Sequence, residues 1–296
     1  MAGESASSMK QTALLLACLL LAAASAGAET KILLIAGKQS HGPGDHEFRA
    51  GTLILARCLA AAPGVTVNVA SNGWPGSAYA FAGVKAVVVY ADGGGGHPAI
   101  QENRLRQMQD LAARGVGLGF MHYGVEVPAG DPGEAFKEFI GGHYEHQFSV
   151  NPMWTPQFET FPDHPVARGV RPFAVLDEWY FNLRFREDMA GVTPILVATP
   201  SEQVRGGPYV WPRGPYPHIV EAKGRPETMM WVRERPDGGR GFGFTGGHVH
   251  RNWLDPNFRK VVLNAILWIA RAEVPPGGVD CPLEPDELQR NLDPKK

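Results

Sequence analysis

The chain has 296 residues, of which 44% are hydrophobic and 20% charged, and its formal net charge is −2. This composition is typical of a globular protein with a sizeable core. Because the 28 lysine and arginine residues are scattered along the chain, nothing predicts a patch for a nucleic-acid backbone or an anionic membrane surface. Nucleic acid is therefore not an expected partner.

Residues 1–28 have the pattern of a secretory signal peptide. Lys10 precedes an apolar region that extends from Ala13 to Ala24, and small residues around Ala26 offer a cleavage site. The signal peptide spans residues 1–28, or it begins at Met9. Since the apolar run is short for a membrane span, we expect no membrane span in the mature chain and a periplasmic or extracellular location.

Two cysteines remain after cleavage at this site, Cys58 in a predicted helix and Cys281 near the end of the chain. Two thiols so far apart do not form a disulfide scaffold. A disulfide between them can form in an oxidising compartment, but we expect Cys58 to be unpaired and buried.

The first half of the mature chain alternates between strands and helices. Continuous apolar runs predict strands at 31–37, 65–71, 85–91 and 115–124, and helical periodicity predicts helices at 46–62 and 98–114. Fully apolar strands are typical of a parallel sheet that is covered on both faces. The order therefore predicts an α/β fold, a doubly wound, mostly parallel sheet with helices on both faces.

The second half of the chain is less regular. Residues 141–214 are rich in proline and aromatic residues and predict loops with short strands, and residues 227–248 predict a hairpin-like pair. A final helix is expected at 255–270. The domain is expected to span residues 29–272, followed by a proline- and charge-rich tail at 273–296 that lies on the surface or is disordered.

The chemistry-bearing residues follow predicted strands. Ligands of doubly wound sheets bind at the carboxyl ends of the strands, and Asp92 follows the third strand. The run GVGLGFMHYG places His122 in a tight turn, where G-x-nucleophile-x-G turns carry their nucleophile. An imidazole there can shuttle protons or bind a metal but is a poor acyl-enzyme nucleophile. The alternative is an ordinary polar residue at a strand end.

Four segments that contain histidine fall at strand ends or in adjoining loops: SHGPGDHEF, GFMHYG, GGHYEHQF and GGHVHRNW. Neutral imidazole binds zinc, and three protein ligands with an open position define a catalytic metal site. None of these histidines lies in an HExxH motif, so the fold would have to assemble the site. His248 is preferred to His250, which points the opposite way if the strand continues.

A carboxylate could complete such a site. Strand alternation around residues 176–179 would turn one of Asp177 and Glu178 inward and the other outward. An inward Glu178 would be a general base or a metal ligand, and the alternative is an ion pair with Arg184 or Arg186. A nucleotide site is not expected, because the glycine run after Asp92 lacks a following Lys-Ser/Thr and no G-x-G-x-x-G opens a helix.

Together these segments resemble the ThuA-like, trehalose-utilisation family, whose fold is similar to that of flavodoxin-like and class I glutamine amidotransferase proteins. The resemblance covers roughly residues 31–270. It is carried by His46-Glu47, GLGFMHYG, GGHYEH, PDHPVARGV, DEWY and the GGH that precedes the final helix.

The resemblance implies that His122 takes the place of the amidotransferase cysteine and that His248 lies near the place of the triad histidine. Glutamine hydrolysis is then not expected. The family is associated with disaccharide use, including 3-keto sugars handled alongside separate dehydrogenases, which implies a sugar ligand. An amidase function would need a nucleophile elsewhere, and Cys58 in mid-helix does not supply one.

The leading hypothesis is a secreted protein that performs metal-assisted acid/base chemistry on a disaccharide or 3-keto-glycoside, as a hydrolase, lyase or isomerase. The alternative is a non-catalytic sugar-binding protein on the same scaffold. Expected partners are a small sugar and, as an oligomer, a second copy of the chain. The candidate residues are His122, Glu178 and His248 for catalysis, Asp92, Tyr123 and Tyr180 for substrate, and His46, His122, His146 and His248 for a divalent metal such as zinc. Flat apolar faces for sugar rings are offered by Trp154, Trp179, Tyr180 and Trp211.

Overall fold

The computed structural model describes residues 29–295, so the signal peptide expected at 1–28 lies outside the described residues. The main sheet contains β1 (Thr30–Ala36), β2 (Val65–Ala70), β3 (Val84–Tyr90), β4 (Gly117–Met121), β5 (Val192–Ala198), β6 (Glu227–Glu234) and β7 (Arg240–Phe244). The longer helices are α1 (Phe48–Leu59), α2 (Arg104–Ala113), α3 (Asp131–Ile140) and α4 (Pro256–Ile269). Within the described residues, none of the helices has the length and apolar character needed to cross a bilayer.

Shorter elements fill the region between α3 and β6. Two small antiparallel pairs join Gly142–His143 to Arg184–Phe185 and Met153–Trp154 to Asp177–Glu178. Short helices follow at Glu202–Arg205 and Pro217–Val220. These elements form a cap of loops beside the main sheet.

The seven strands lie in the order β2-β1-β3-β4-β7-β6-β5. The first four neighbouring pairs are parallel, and β6 pairs antiparallel to both β7 and β5. The predicted doubly wound, mostly parallel sheet is therefore confirmed, with the expected hairpin at β6 and β7 forming the antiparallel part.

The apolar run of β1 shows why the sheet is covered on both faces. Ile32 and Leu34 are buried in one hydrophobic cluster, and Leu33 and Ile35 are buried in another, because successive strand residues point to opposite faces. Helices α1 and α4 cover the first face, whereas α2 and α3 pack together over the second. The core thus consists of two apolar layers separated by the sheet.

Two predicted helices start later than expected, and in both cases the backbone explains the difference. Helix α1 starts at Phe48 and not at His46, whose φ of +47° lies outside the helical region. The helix expected at 98–114 is divided into a short turn, Pro98–Ile100, and α2, because Glu102 between them has a φ of +55°.

Cys58 is not free: it forms a disulfide with Cys281, with the two Cα atoms 5.5 Å apart. The expectation of an unpaired Cys58 is wrong because the C-terminal tail folds back across α1. The two cysteines are separated by 223 residues in sequence, and no local pattern reports such a contact. The pairing agrees with an oxidising compartment.

The tail after residue 273 also differs from the expected surface or disordered segment. Val274, Val279 and Leu288 are buried in the core cluster that contains α4. The backbone N–H of Val279 donates to Asn264 Oδ1 over 2.8 Å. Spaced apolar residues thus anchor a segment whose overall composition is polar.

Candidate metal centre

The turn after β4 places His122 at the carboxyl end of the sheet. Met121 ends the strand, and His122 opens a single 3-10 turn with a φ of +53°, a conformation that non-glycine residues adopt at a cost of order 1 kcal/mol. The side chain of His122 is fully buried. Its Nδ1 lies 2.9 Å from the carbonyl oxygen of Thr245. A carbonyl can only accept, so Nδ1 carries the proton and Nε2 carries a lone pair.

His46 approaches from the loop after β1. Its backbone N–H donates to the carbonyl of His248 over 2.9 Å, which joins two loops that carry candidate ligands. Its Nδ1 lies 2.9 Å from Asp92 Oδ1, and an ionised Asp92 accepts the proton of Nδ1. The free Nε2 then carries a lone pair. A carboxylate behind an imidazole in this way orients metal-binding histidines in many proteins.

The two Nε2 atoms face each other. His46 Nε2 lies 2.9 Å from His122 Nε2, and both carry lone pairs when both Nδ1 atoms donate. Burial lowers the pKa of each ring well below the ordinary histidine value, with further lowering from the neighbouring histidines. A proton between the rings is therefore disfavoured, whereas a metal cation would be bound by both lone pairs.

Glu178 and His248 complete the cluster. Glu178 Oε2 lies 2.8 Å from His248 Nδ1 and 3.6 Å from His122 Nε2. The shorter of these distances joins Nδ1 of His248 to the carboxylate in a buried contact of ion-pair length. Burial opposes charge on His248, but the carboxylates of Glu178 and Asp45 outweigh it and raise the pKa of His248.

The cluster has the dimensions of a small metal site. One ligand atom from each of His46, His122, Glu178 and His248 lies within 4.8 Å of the others. Tetrahedral zinc with bonds of about 2.0–2.1 Å requires ligand separations of about 3.4 Å, which small side-chain movements would provide. The structure thus brings three of the four candidate histidines together with the candidate carboxylate.

His146 lies apart from these residues. It is exposed, in a turn that follows the two-residue strand Gly142–His143, and its side chain lines the neighbouring cavity. A second group of potential ligands consists of His41, His46 and Asp92. That group shares His46 with the main cluster, and Asp92 is already the hydrogen-bond partner of His46.

The loop beside Glu178 corrects the expected alternation of carboxylates. Asp177 and Glu178 are both buried, with exposures of 0% and 3%, because loops cover both sides of this two-residue strand. Asp177 accepts hydrogen bonds from the backbone N–H groups of Gly247 and His248 at 2.8 and 3.0 Å. Asp177 therefore holds the loop that carries His248, while Glu178 faces the cluster and has no ion pair with Arg184 or Arg186.

A cavity of about 340 Å³ borders the cluster, and its lining residues are His41, His46, Tyr123, Glu126, His146, Asn151, Glu178, Tyr180, Val210 and Trp211. Trp211 is 69% exposed, and its backbone N–H donates to Asn151 Oδ1 over 3.2 Å. The indole face is thus available beside the cavity. Asn151 also donates to Glu178 Oε1 over 2.8 Å, so one residue links the carboxylate to the tryptophan loop.

The three candidate substrate residues take different positions. Tyr123 lines the cavity, and its pKa is raised to about 12, chiefly by burial. Tyr180 also lines it, although its ring is only 3% exposed, and its hydroxyl lies 3.3 Å from His122 Nε2. Asp92 contacts His46. Trp154 and Trp179 are packed in the hydrophobic core, so they offer no face to a ligand.

Glu126 and Asn151 lie at the cavity without having been singled out by the sequence. Burial, and then the charge of Glu178, raises the pKa of Glu126 to about 7. Glu126 lies four residues after His122, and the tight turn between them is the one sequence signal that would predict Glu126 near the site. Nothing in the sequence around Asn151 indicates a contact with Glu178.

A second buried histidine supports the turn. His97 Nε2 donates to the carbonyl of Gly124 over 2.9 Å, and its Nδ1 accepts from the backbone N–H of Ala99 over 3.0 Å. Burial lowers the pKa of His97 to about 4. The neutral His97 ring therefore stabilises the turn that begins at His122 through its hydrogen bond to Gly124.

The chain thus has a doubly wound α/β fold of the class I glutamine amidotransferase-like type, with His122 at the turn after β4. The family model described as ThuA, trehalose utilisation, matches residues 31–269. The chain belongs to this family.

Among solved structures, a ThuA-like protein shares the fold. A putative ThuA-like protein from Bacteroides uniformis ATCC 8492 is 14% identical, with a TM-score of 0.59 over 83% of this chain and 93% of that protein. PurLQS from Thermotoga maritima is 10% identical, with a TM-score of 0.42 over 81% of this chain and 99% of that chain. No curated protein matches the sequence.

Proposed function

We propose that this protein binds a divalent metal, with zinc the best fit, and performs acid/base chemistry on a sugar such as a disaccharide or a 3-keto-glycoside. The observation that carries the metal site is the pair of Nε2 atoms of His46 and His122, 2.9 Å apart, with both Nδ1 atoms beside oxygen acceptors. Two nitrogen lone pairs that face each other in a buried site repel, and a cation bound between them would remove this repulsion. His248, which lies beside Glu178 in the same cluster, supplies a third ligand.

The donor set suits zinc. Imidazole nitrogens and one carboxylate are ordinary zinc ligands, and a set of three protein ligands leaves a position for substrate or water. We assign His46, His122 and His248 as the three ligands. A zinc ion held there would polarise a sugar carbonyl and ease removal of a proton from the adjacent carbon.

Glu178 is the proposed base. Its Oε1 is fixed by Asn151, and its Oε2 faces the histidines. Burial raises the pKa of Glu178 above that of an ordinary glutamate, which makes it a better proton acceptor. Glu126, with a pKa of about 7, is partly protonated near neutral pH and can donate a proton inside the same cavity.

The cavity suits a sugar ring. Its volume of about 340 Å³ falls in the range of about 300–1,000 Å³ that small-molecule sites occupy. Trp211 offers an exposed aromatic face, and Tyr123 and Glu126 offer hydrogen-bonding groups. A sugar has both an apolar face and hydroxyl groups, so this combination favours a carbohydrate, and the name of the family supports the same class of ligand.

Secretion is part of the proposal. The N-terminal pattern supports a signal peptide, and the Cys58–Cys281 disulfide supports an oxidising compartment. Both point to the periplasm or the exterior of the cell.

The proposal is tested by equilibrium dialysis of chelator-treated protein against zinc, with His122→Ala and His248→Ala as variants. We expect one zinc per wild-type chain and a large loss of affinity in both variants. His146→Ala is the matched control, because His146 lines the cavity but lies apart from the cluster, and it should bind zinc normally. Wild-type protein without stoichiometric zinc would refute the metal site.

The second candidate is a sugar-binding protein without catalysis. The contact between His248 and Glu178 favours it, because a protonated His248 would neutralise the buried carboxylate without a metal. Calorimetric titration with sugars separates the two functions. A metal-free protein that binds the sugar as tightly as the zinc-treated protein does, without turnover, would support the second candidate.

A further inference from the structure

The family match ends at residue 269, but the chain continues and returns to the loop that carries His46. Leu288 is buried, and its carbonyl accepts a hydrogen bond from His250 Nε2 over 3.1 Å. Upstream, the disulfide joins Cys281 to α1. The final residues thereby approach the centre from the side of α1.

The end of this segment forms a buried ion pair. Lys295 Nζ lies 3.3 Å from Glu47 Oε1, and the two side chains are only 2% and 1% exposed. The ammonium group also donates to the carbonyl oxygens of Gly42 and Asp45. Lysine side chains are almost never fully buried unless they are paired, so the burial of Lys295 indicates a specific contact.

Glu47 connects this contact to the histidine loop. Its Oε1 accepts the backbone N–H of Gly44 over 3.1 Å, and its Oε2 accepts the backbone N–H of Asp293 over 2.9 Å. Glu47 directly follows His46, whose φ of +47° must be held by its surroundings. The carboxylate therefore fastens the loop on one side and the C-terminal segment on the other.

We propose that residues 281–295 form a strap that holds the His46 loop in place, with Lys295 and Glu47 as positioning residues of the metal centre. Loss of Lys295 would leave the buried Glu47 carboxylate without its cation and would remove two hydrogen bonds from the loop. The imidazole of His46 would then lose its fixed approach to His122. The effect on metal binding rests on the proposed function, whereas the effect on the His46 ring does not.

The test uses Lys295→Met in the full chain with the disulfide intact. Zinc affinity should fall about 10- to 100-fold, as for residues that orient metal ligands in other proteins. Arg290→Ala is the matched control, because it removes a cation from the same segment. Among the described residues, Arg290 has a single ion pair, with Asp286, and that pair is exposed. That variant should bind zinc like the wild type.

The second readout is the nitrogen NMR spectrum of the histidine rings in metal-free protein. In the wild type, the His46 ring should show a proton on Nδ1, and in Lys295→Met this signal should shift or broaden while that of His97 stays unchanged. The double variant Glu47→Gln with Lys295→Met removes both charges of the buried pair and should therefore recover folding stability. Its zinc affinity should stay low, because the contacts of Lys295 with the loop carbonyls of Gly42 and Asp45 remain lost. This double variant also serves if Lys295→Met alone fails to fold.

The outcomes separate the two proposals. If the wild type binds no zinc, the metal site is refuted, and the strap is then judged by the His46 signal alone. Unchanged His46 signals together with unchanged zinc affinity in folded Lys295→Met would overturn the strap, even if its melting temperature fell. A fall in zinc affinity of equal size in Arg290→Ala would also overturn it.

Discussion

His46 Nε2 and His122 Nε2 lie 2.9 Å apart in a fully buried contact. The Nδ1 of each ring is placed to donate its proton to an oxygen, Asp92 Oδ1 for His46 and the Thr245 carbonyl for His122. The loops at the carboxyl end of the sheet thus place two imidazole lone pairs opposite each other. This arrangement is the basis of the metal proposal and of the role assigned to Glu178.

Glu178→Gln should separate catalysis from metal binding. The amide keeps the size of the side chain and its bond with Asn151 but cannot accept a proton at Oε2. We expect exchange of the proton next to the carbonyl of a 3-keto-glycoside, followed by NMR in deuterated water, to slow by about 10²- to 10⁴-fold, with zinc retained. Glu145→Gln, which alters a partly exposed carboxylate paired with Arg184, is the control. Exchange at the wild-type rate in Glu178→Gln would exclude Glu178 as the base.

Trp211→Ala should weaken sugar binding and leave zinc affinity unchanged. An exposed indole face contributes to a ring contact by about 1 kcal/mol, so the dissociation constant for the sugar should rise about 3- to 10-fold. Tyr79→Ala is the control, because Tyr79 is 89% exposed and does not line the cavity. Calorimetry measures both variants. Equal sugar affinity in Trp211→Ala and wild type would remove Trp211 from the binding site.

His97→Gln should make stability less dependent on pH. Burial lowers the pKa of His97 from 6.5 to about 4, so the folded protein holds the neutral ring while the unfolded chain takes up a proton. The resulting stability is present above about pH 6.5 and is lost as the pH falls towards 4, by about 3 kcal/mol in total. Urea unfolding at pH 7 and pH 5 measures this slope.

The His97→Gln variant is expected to be less stable at pH 7 but to lose less stability on acidification than the wild type. Other buried histidines, His143 among them with a pKa of about 4, continue to titrate, so part of the slope should remain. A slope as steep as that of the wild type would show that folding does not lower the pKa of His97.

Cys58→Ala with Cys281→Ala should lower the free energy of unfolding by about 2–4 kcal/mol, because the disulfide restricts the unfolded chain. Denaturant titration with and without a reductant checks this. The wild type should lose stability when reduced, and the double variant should not respond. A wild type that ignores the reductant while its thiols are shown to be reduced would contradict a stabilising role.

The sheet could be predicted from the sequence because each of its central strands is marked by a local run of apolar residues. The runs that became β1 and β3 are apolar on both faces, and the turn after β4 is marked by its glycines. The rule that ligands gather at strand ends then brought His46, His122 and His248 to one edge. These inferences needed only local patterns and one rule of topology.

The remaining parts of the site depend on contacts between distant loops. Asn151 reaches Glu178 across 27 residues, and Lys295 contacts the loop at Asp45 across 250. The sequence places His146 among the candidate ligands because it is a histidine in a loop of the predicted site, but the fold of its turn directs it to the cavity wall. Such placements are decided by tertiary packing, which leaves no periodic trace in the sequence.

The most direct test of the metal centre is the X-ray absorption spectrum of zinc-loaded protein, with His122→Ala as the comparison. We predict one tightly bound zinc per chain, with three imidazole nitrogens at about 2.0–2.1 Å and one or two further oxygen ligands. In His122→Ala the imidazole contribution should fall or the zinc should be lost. Wild-type zinc without imidazole ligands, or a spectrum unchanged in His122→Ala, would contradict a centre built on His46, His122 and His248.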